Sequence, residues 1–166
     1  MKKIFLFFII FYAPFRIYAD KSVDTWKVKE WKGIRRIWDR NLAPYSRGEI
    51  DNFYNSINRG VHNDRKCIEA LSAISALECN RVKSLREKEG YLGGKQNAIR
   101  KGRILQGSPC CKTQALASLF FEIYENNHSI EKTCKIWNKG HNWKDAIDYW
   151  RDCQFFIKIY RSAENG

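Results

Sequence analysis

The residue best placed for chemistry in this sequence is a glutamate at the end of an amphipathic segment. Within residues 64–78, Cys67, Leu71, Ile74 and Glu78 recur at steps of four, three and four, which places them on one face of a helix. A carboxylate that ends an apolar face beside a groove loses part of its hydration, and this loss raises its pKa. Such a glutamate can act as the general acid that protonates a glycosidic oxygen. The same position is also compatible with a helix-end residue that pairs with an Arg or Lys.

A second carboxylate, which glycosidases normally use as nucleophile or base, is hard to identify in this sequence. Glu87 and Glu89 fall in a charged connection, and Glu122 and Glu131 lie on helices with ordinary solvent faces. The sequence therefore favours chemistry that needs Glu78 alone.

The elements that must position Glu78 are mostly helices. Six segments have apolar residues at helical spacing: about 29–40, 48–59, 64–78, 113–125, 129–140 and 142–161. Thr113 is the expected N-cap of the fourth segment, and Gly140 is expected to end the fifth. Residues 81–89 have the composition of a charged connection, and residues 90–109, with five of the ten glycines, predict a loop with short irregular strands. We expect a mainly α fold with an irregular Gly-rich central segment.

The N-terminus has the pattern of a secretory signal peptide. Lys2 and Lys3 precede ten apolar residues at 4–13, and the segment ends in the small residue Ala19. The apolar run is too short to span a membrane, which takes about 20 residues. We expect a signal peptide at 1–19 that is cleaved after Ala19, the alternative being an uncleaved N-terminal anchor, with export to the periplasm or the medium. Residues 20–166 are expected to form a single domain with a helical N-terminal extension at about 20–60.

The chain is strongly basic, with 30 Lys and Arg against 18 Asp and Glu and a formal net charge of +12. Such a field favours an anionic partner and predicts binding that weakens with salt. For an exported protein, that partner is a cell-wall polymer or an anionic cell-envelope surface. No nucleic-acid recognition motif is present, and we expect no nucleic acid partner.

Cysteine content supports the same compartment. The six cysteines of an exported chain predict disulfides, which can pair in 15 ways: Cys67, Cys79, Cys110, Cys111, Cys134 and Cys153. No CxxC motif occurs, and His62, His128 and His141 have no ligand spacing with the thiols. We therefore expect a disulfide-stapled domain without a metal or other cofactor.

Four motifs resemble, in order, those of the lysozyme-like superfamily that includes goose-type lysozymes and soluble lytic transglycosylases. Ala73–Glu78 resembles the helix that ends in the catalytic Glu of that family, and Gly93–Gln96 resembles its Gly-x-x-Gln turn. Trp137–Gly140 resembles the Tyr-Asn-Ala-Gly element, and Tyr149–Trp150 resembles the closing Tyr-Val helix. The sequence departs from the family at Cys79, where a Ser usually follows the Glu.

This resemblance implies a lysozyme-like helical domain that cleaves the bond between N-acetylmuramic acid and N-acetylglucosamine in peptidoglycan. Glu78 would be general acid and then base, and the muramyl 6-hydroxyl would be the internal nucleophile. Gln96 and Tyr149 would orient the sugar or the acid, and Trp137 would form a wall of the groove. The implied substrate contacts are Gly93, Gln96, Trp137, Asn138 and Tyr149. Core packing is the alternative for Trp137 and Tyr149, and we expect a monomer.

A non-enzymatic function is the main alternative: an exported basic protein that binds cell-wall glycan, lipopolysaccharide or an acidic partner protein. Trp26, Trp31 and Trp38, with the charges of residues 27–40, would form its binding face. The same residues also fit an N-terminal helix that packs on the domain and leaves a solvated basic face.

Overall fold

The computed structural model describes residues 21–40, 45–78 and 83–163, and every regular element in these ranges is helical. Eight α-helices and one 3₁₀ helix follow one another in these ranges: α1 Lys21–Arg40, α2 Arg47–Gly60, α3 Arg65–Glu78, α4 Lys83–Glu89, α5 Lys95–Arg100, α6 Pro109–Glu125, α7 Ile130–Lys139, the 3₁₀ helix Gly140–Asp145 and α8 Ile147–Ser162. The predicted mainly α class is confirmed.

The region expected to be a connection and loop contains two short helices, and no strand occurs in its described part, residues 83–109. α4 forms where a charged connection was predicted because it packs on α6 and is joined to α2 by an ion pair. Its Arg86 is buried, and the Arg86 guanidinium lies 3.2 Å from a carboxylate oxygen of Glu49. This tertiary ion pair has no local signal in the sequence.

α6 begins four residues earlier than its pattern predicted. Ser108 is the N-cap, its side chain accepts the backbone N–H of Cys111, and Pro109 occupies the first turn. Thr113 lies inside the helix instead of capping it. Its buried hydroxyl donates to the carbonyl of Pro109 and accepts the backbone N–H of Tyr91. Thr113 thereby fixes the chain that follows α4.

α3 forms the centre of the core and packs on α1, α6, α7 and α8. Every residue from Cys67 to Ala76 is buried. Glu69, Ser72 and Ala76 lie off the spacing of Cys67, Leu71 and Ile74, and they are buried as well. A helix that is buried on all sides lacks the alternation of an apolar and a polar face, so its sequence does not show which side faces the core.

The two N-terminal helices belong to the same core. Trp38 is fully buried and donates its indole N–H to Ser75 Oγ at 3.1 Å. α2 lies against α6, where a Cβ at Gly60 would fall 2.5 Å from the Cβ of Ala117. Trp31 is half-buried and has the guanidinium groups of two arginines near its ring, whereas the side chain of Trp26 lies outside the described residues. A surface formed by all three tryptophans is therefore incorrect, because Trp38 is interior.

The expected disulfides are not found among the described cysteines. Five of the six are described, and all are free thiols: Cys67, Cys110, Cys111, Cys134 and Cys153. Three of them, on α3, α7 and α8, are fully buried and fill the core as small apolar groups. Cys79 lies outside the described residues, as does the predicted signal peptide at 1–19. No helix in the described ranges is both long and apolar enough to cross a membrane.

Candidate active site

The end of α3 and the first turn of α8 meet at a polar pair. The Tyr149 hydroxyl donates a hydrogen bond to Glu78 Oε1 at 2.9 Å. Below this pair, Leu71 and Ile74 continue the same face of α3 into the core. The predicted helical stripe therefore ends at the surface in a carboxylate, and α8 supplies its hydrogen-bond donor.

The surroundings of Glu78 favour its neutral form. The side chain is exposed on one side, but desolvation by the protein around it raises its pKa, and the hydrogen bond from Tyr149 lowers the pKa by less. The pKa of Tyr149 is in turn raised well above its usual value by burial and by the charge of Glu78. Tyr149 therefore stays protonated at neutral pH and remains a donor, while Glu78 can hold a proton at a higher pH than an ordinary Glu.

Glu78 is a single carboxylate at this place. Among the described residues, no other Asp or Glu contributes to its pKa shift. Three of the four carboxylates considered from sequence have ion-pair partners elsewhere: Glu87 pairs with Lys83, Glu122 with Arg103 and Glu131 with Lys135. The site can therefore give and take one proton, but it holds no charged nucleophile within the described ranges.

The glycine turn before α5 is pressed against α7. Gly93 has φ +58°, a conformation that glycine adopts without strain. A Cβ at Gly94 would fall 2.4 Å from Trp137 Cζ2. Trp137 itself is 1% exposed and packs edge-on against Phe120. The structure thus places Trp137 under the turn as a support and not along a groove. Gln96 lies in α5, and its side chain is outside the described residues.

The remaining predicted contact, Asn138, lies half-buried near the end of α7. Gly140 caps that helix with φ +60°, and its N–H is bonded to the carbonyl of Ile136. The 3₁₀ helix then leads directly to α8 and Tyr149. Of the predicted residues, the structure joins Glu78 to Tyr149 and the glycine turn to Trp137.

A second buried carboxylate was missed by the sequence analysis. Glu30 of α1 is fully buried, and Arg65 Nε lies 3.8 Å from its Oε1. The same arginine lies 3.4 Å from Glu69, which Arg161 of α8 holds at 2.6 Å. Burial raises the pKa of Glu30 to about 7, although the charge of Arg65 opposes the shift.

The position of Glu30 does have a sequence signal. Glu30 precedes Ile34, Ile37 and Trp38 by four, seven and eight residues, so it lies on the apolar face of α1. All three of those residues are fully buried. A search for charged residues on apolar helical faces would have selected Glu30 together with Glu78.

No family model matches the chain, and the comparisons with curated proteins and with solved structures found no match. Within residues 21–40, 45–78 and 83–163, no group of three or more His, Cys, Asp or Glu side chains could hold a metal ion. The fold defines the class as mainly helical, and the site is a protonatable carboxylate with one phenol donor.

Proposed function

We propose that this protein is an exported peptidoglycan lytic transglycosylase with a lysozyme-like helical domain, in which Glu78 is the general acid and base. The observation that carries the proposal is the hydrogen bond from Tyr149 to Glu78, because it joins two of the four motifs on which the family resemblance rests. Those motifs are separated by 71 positions along the chain, so their contact is not a consequence of local sequence.

The hydrogen bond also gives the two carboxyl oxygens of Glu78 different roles. Tyr149 donates to Oε1, so the proton of the neutral acid is carried by Oε2. Oε2 transfers this proton to the oxygen of the bond between N-acetylmuramic acid and N-acetylglucosamine, and the C1–O bond breaks. The N-acetylglucosamine fragment leaves with a hydroxyl group.

The second step needs a nucleophile at the muramyl C1. The muramyl 6-hydroxyl attacks this carbon, and the Glu78 carboxylate takes up the hydroxyl proton, which restores the neutral acid. The product is a 1,6-anhydro sugar. A tethered hydroxyl has a high effective concentration and needs no second carboxylate, which agrees with the single acid at this place.

The wider properties of the chain are consistent with this substrate. Without residues 1–19, which carry Lys2, Lys3 and Arg16 and no acid, the net charge is +9, and it attracts the anionic polymers of a cell envelope. The N-terminal signal pattern would deliver the protein to the periplasm or the medium. Peptidoglycan glycan strands are the proposed partner, the proposed state is a monomer, and no cofactor enters the reaction.

Digestion of purified peptidoglycan tests the proposal. We expect 1,6-anhydro-muropeptides, which mass spectrometry identifies because an anhydro end is one water lighter than a reducing end. Glu78→Gln should abolish the product, and Gln96→Ala should reduce it if that side chain positions the sugar. Glu87→Gln is the matched control, since Glu87 is an exposed residue of α4, and it should leave the yield unchanged.

Other outcomes of the digestion would indicate a different function. Reducing ends without anhydro ends would indicate a hydrolase with a second carboxylate. Binding to the wall without any product, equal in wild type and Glu78→Gln, would indicate the non-enzymatic alternative.

A further inference from the structure

A pocket of about 550 Å³ opens between α5, the end of α6, α7 and the 3₁₀ helix. Its floor is apolar and its rim is basic: Leu119, Ile123 and Ile136 below, and Arg100, Lys101 and Lys132 around them. Among the described residues that line it, none is an Asp or a Glu. We call it the basic pocket.

Positive charge in the basic pocket is gathered around one aromatic ring. The ammonium group of Lys132 lies 5.3 Å from the centre of the Trp143 ring, and that of Lys144 lies 6.0 Å from the same centre. Glu122, which precedes the floor residue Ile123, is already paired with Arg103. The described surroundings thus leave a net positive field over an apolar floor, which favours an anion that also carries apolar groups.

Arg100 is held at the pocket by the shape of the neighbouring backbone. A Cβ at Gly140 would fall 2.3 Å from Arg100 Nη1, so the guanidinium lies directly over the glycine that ends α7. Any larger residue at position 140 would displace it. The guanidinium of this exposed side chain therefore lies at the edge of the pocket, beside the end of α7.

We propose that the basic pocket binds the carboxylates of the short peptide that branches from the muramyl residue of peptidoglycan. The inference rests on the proposed function for the identity of the polymer. Such a peptide combines carboxylates with alanine methyl groups, which match the basic rim and the apolar floor respectively.

The chain between the two sites is short. Trp143 precedes Tyr149 by six residues, so their Cα atoms lie at most about 22 Å apart. A peptide of four residues extends by about 13 Å, and the sugar to which it is attached adds to this span. The assignment requires that a strand whose scissile bond lies at Glu78 bridge the actual separation with this length.

Titration of the full-length protein with the free tetrapeptide L-Ala-D-Glu-diaminopimelate-D-Ala tests this inference. Binding is followed through the indole N–H signal of Trp143 in an NMR spectrum. We expect saturable shifts that weaken with salt. Lys132→Gln and Arg100→Gln should each raise the dissociation constant by about tenfold, the usual effect of losing a charged hydrogen bond. Lys158→Gln, which removes an exposed lysine of α8, is the matched control and should change nothing.

Two further ligands define the specificity. The same peptide with amidated carboxyl groups should not bind, and inorganic phosphate should not displace the acidic peptide at equal concentration. Equal binding of the amidated peptide, displacement by phosphate, or wild-type affinity in Lys132→Gln would each overturn the inference.

The free peptide contains no glycosidic bond, so this result is independent of the reaction at Glu78. Peptide binding without any glycan cleavage would leave the pocket assigned and overturn the proposed function. Anhydro products without peptide binding would overturn the pocket alone.

Discussion

Two regions of the molecule each hold a carboxylate whose pKa lies above its ordinary value. Glu30 is fully buried between α1 and α3, and its strongest charged neighbour is an arginine. Glu78 ends α3 at the surface, is exposed on one side, and receives a hydrogen bond from a phenol. Desolvation is the largest cause of the shift in both.

The difference shows that a raised pKa reports desolvation and does not by itself identify a general acid. A general acid must also reach the substrate, and it needs a fixed orientation. Glu78 is exposed and accepts a hydrogen bond from Tyr149, as a general acid requires. Glu30 does not meet the first condition, because it is fully buried.

The largest expected effect separates the two residues by activity. Glu78→Gln should lower the rate of peptidoglycan cleavage by about 10²–10⁴-fold, the usual contribution of a general acid or base. Glu30→Gln should leave the rate near that of the wild type. Cleavage is measured as the release of soluble muropeptides.

A folding defect in Glu78→Gln would also lower the cleavage rate, so the thermal unfolding of this variant is measured as a control. Because the pKa of Glu78 is raised in the folded protein, ionisation of this residue opposes folding, and Glu78→Gln should not lose stability at pH 7. A comparable loss of cleavage rate in Glu78→Gln and Glu30→Gln would contradict the distinction between the two carboxylates.

The next effect concerns the pH dependence of stability. The pKa of Glu30 is about 7 in the folded protein against 4.5 as its unperturbed value. Between these values the folded state binds more protons than the unfolded state, so the free energy of unfolding falls as pH rises, by up to about 3 kcal/mol. Glu30→Gln should remove this fall and stabilise the protein at pH 8 but not at pH 4. Urea unfolding at the two pH values measures the difference.

Glu69 provides the matched control within the same cluster. Its carboxylate is held by Arg161 at 2.6 Å and lies 3.4 Å from Arg65. Glu69→Gln removes a buried carboxylate from two partly exposed arginines and should cost about 1.5–3 kcal/mol at neutral pH, the usual value of a hydrogen bond to a charged group. A gain in stability for Glu69→Gln, or a loss for Glu30→Gln at pH 8, would contradict the assignment of the two carboxylates.

The smallest expected effect tests whether the Tyr149 hydroxyl orients Glu78. Its hydrogen bond lowers the pKa of Glu78, so Tyr149→Phe should raise that pKa and move the upper limb of the pH–rate profile to higher pH. The rate at the optimum should fall by about tenfold, as expected for one hydrogen bond to a charged group. Tyr124→Phe, on the half-buried face of α6, is the control. An unchanged profile in Tyr149→Phe would show that the phenol does not orient the acid.

Local patterns predicted the bounds of some helices closely. The apolar spacing of residues 64–78 placed α3 within one residue of its start and gave its exact end at Glu78. Ser129 and Gly140 correctly indicated the two ends of α7, because each caps the helix by a hydrogen bond with the backbone of that helix. Helix α4 was missed, since its docking depends on an ion pair between Arg86 and Glu49, 37 positions apart.

Part of the candidate site was predictable because it depends only on local sequence. Glu78 could be selected because its helical face is local information. Its contact with Tyr149 was available only through the family resemblance, and the burial of Trp137 depends on the approach of Gly94, far away in sequence. No disulfide is found among the five described cysteines, because cysteine count indicates the redox environment and not the distance between side chains.

The contact between Gly94 and Trp137 has a consequence for how this sequence can vary. With the indole only 2.4 Å from where a Cβ would stand, alanine at position 94 requires a smaller ring at position 137, and neither change is neutral alone. Substitutions at the two positions should therefore be accepted as a pair. In a set of related sequences, residues 94 and 137 should covary, with a tryptophan present only where a glycine faces it.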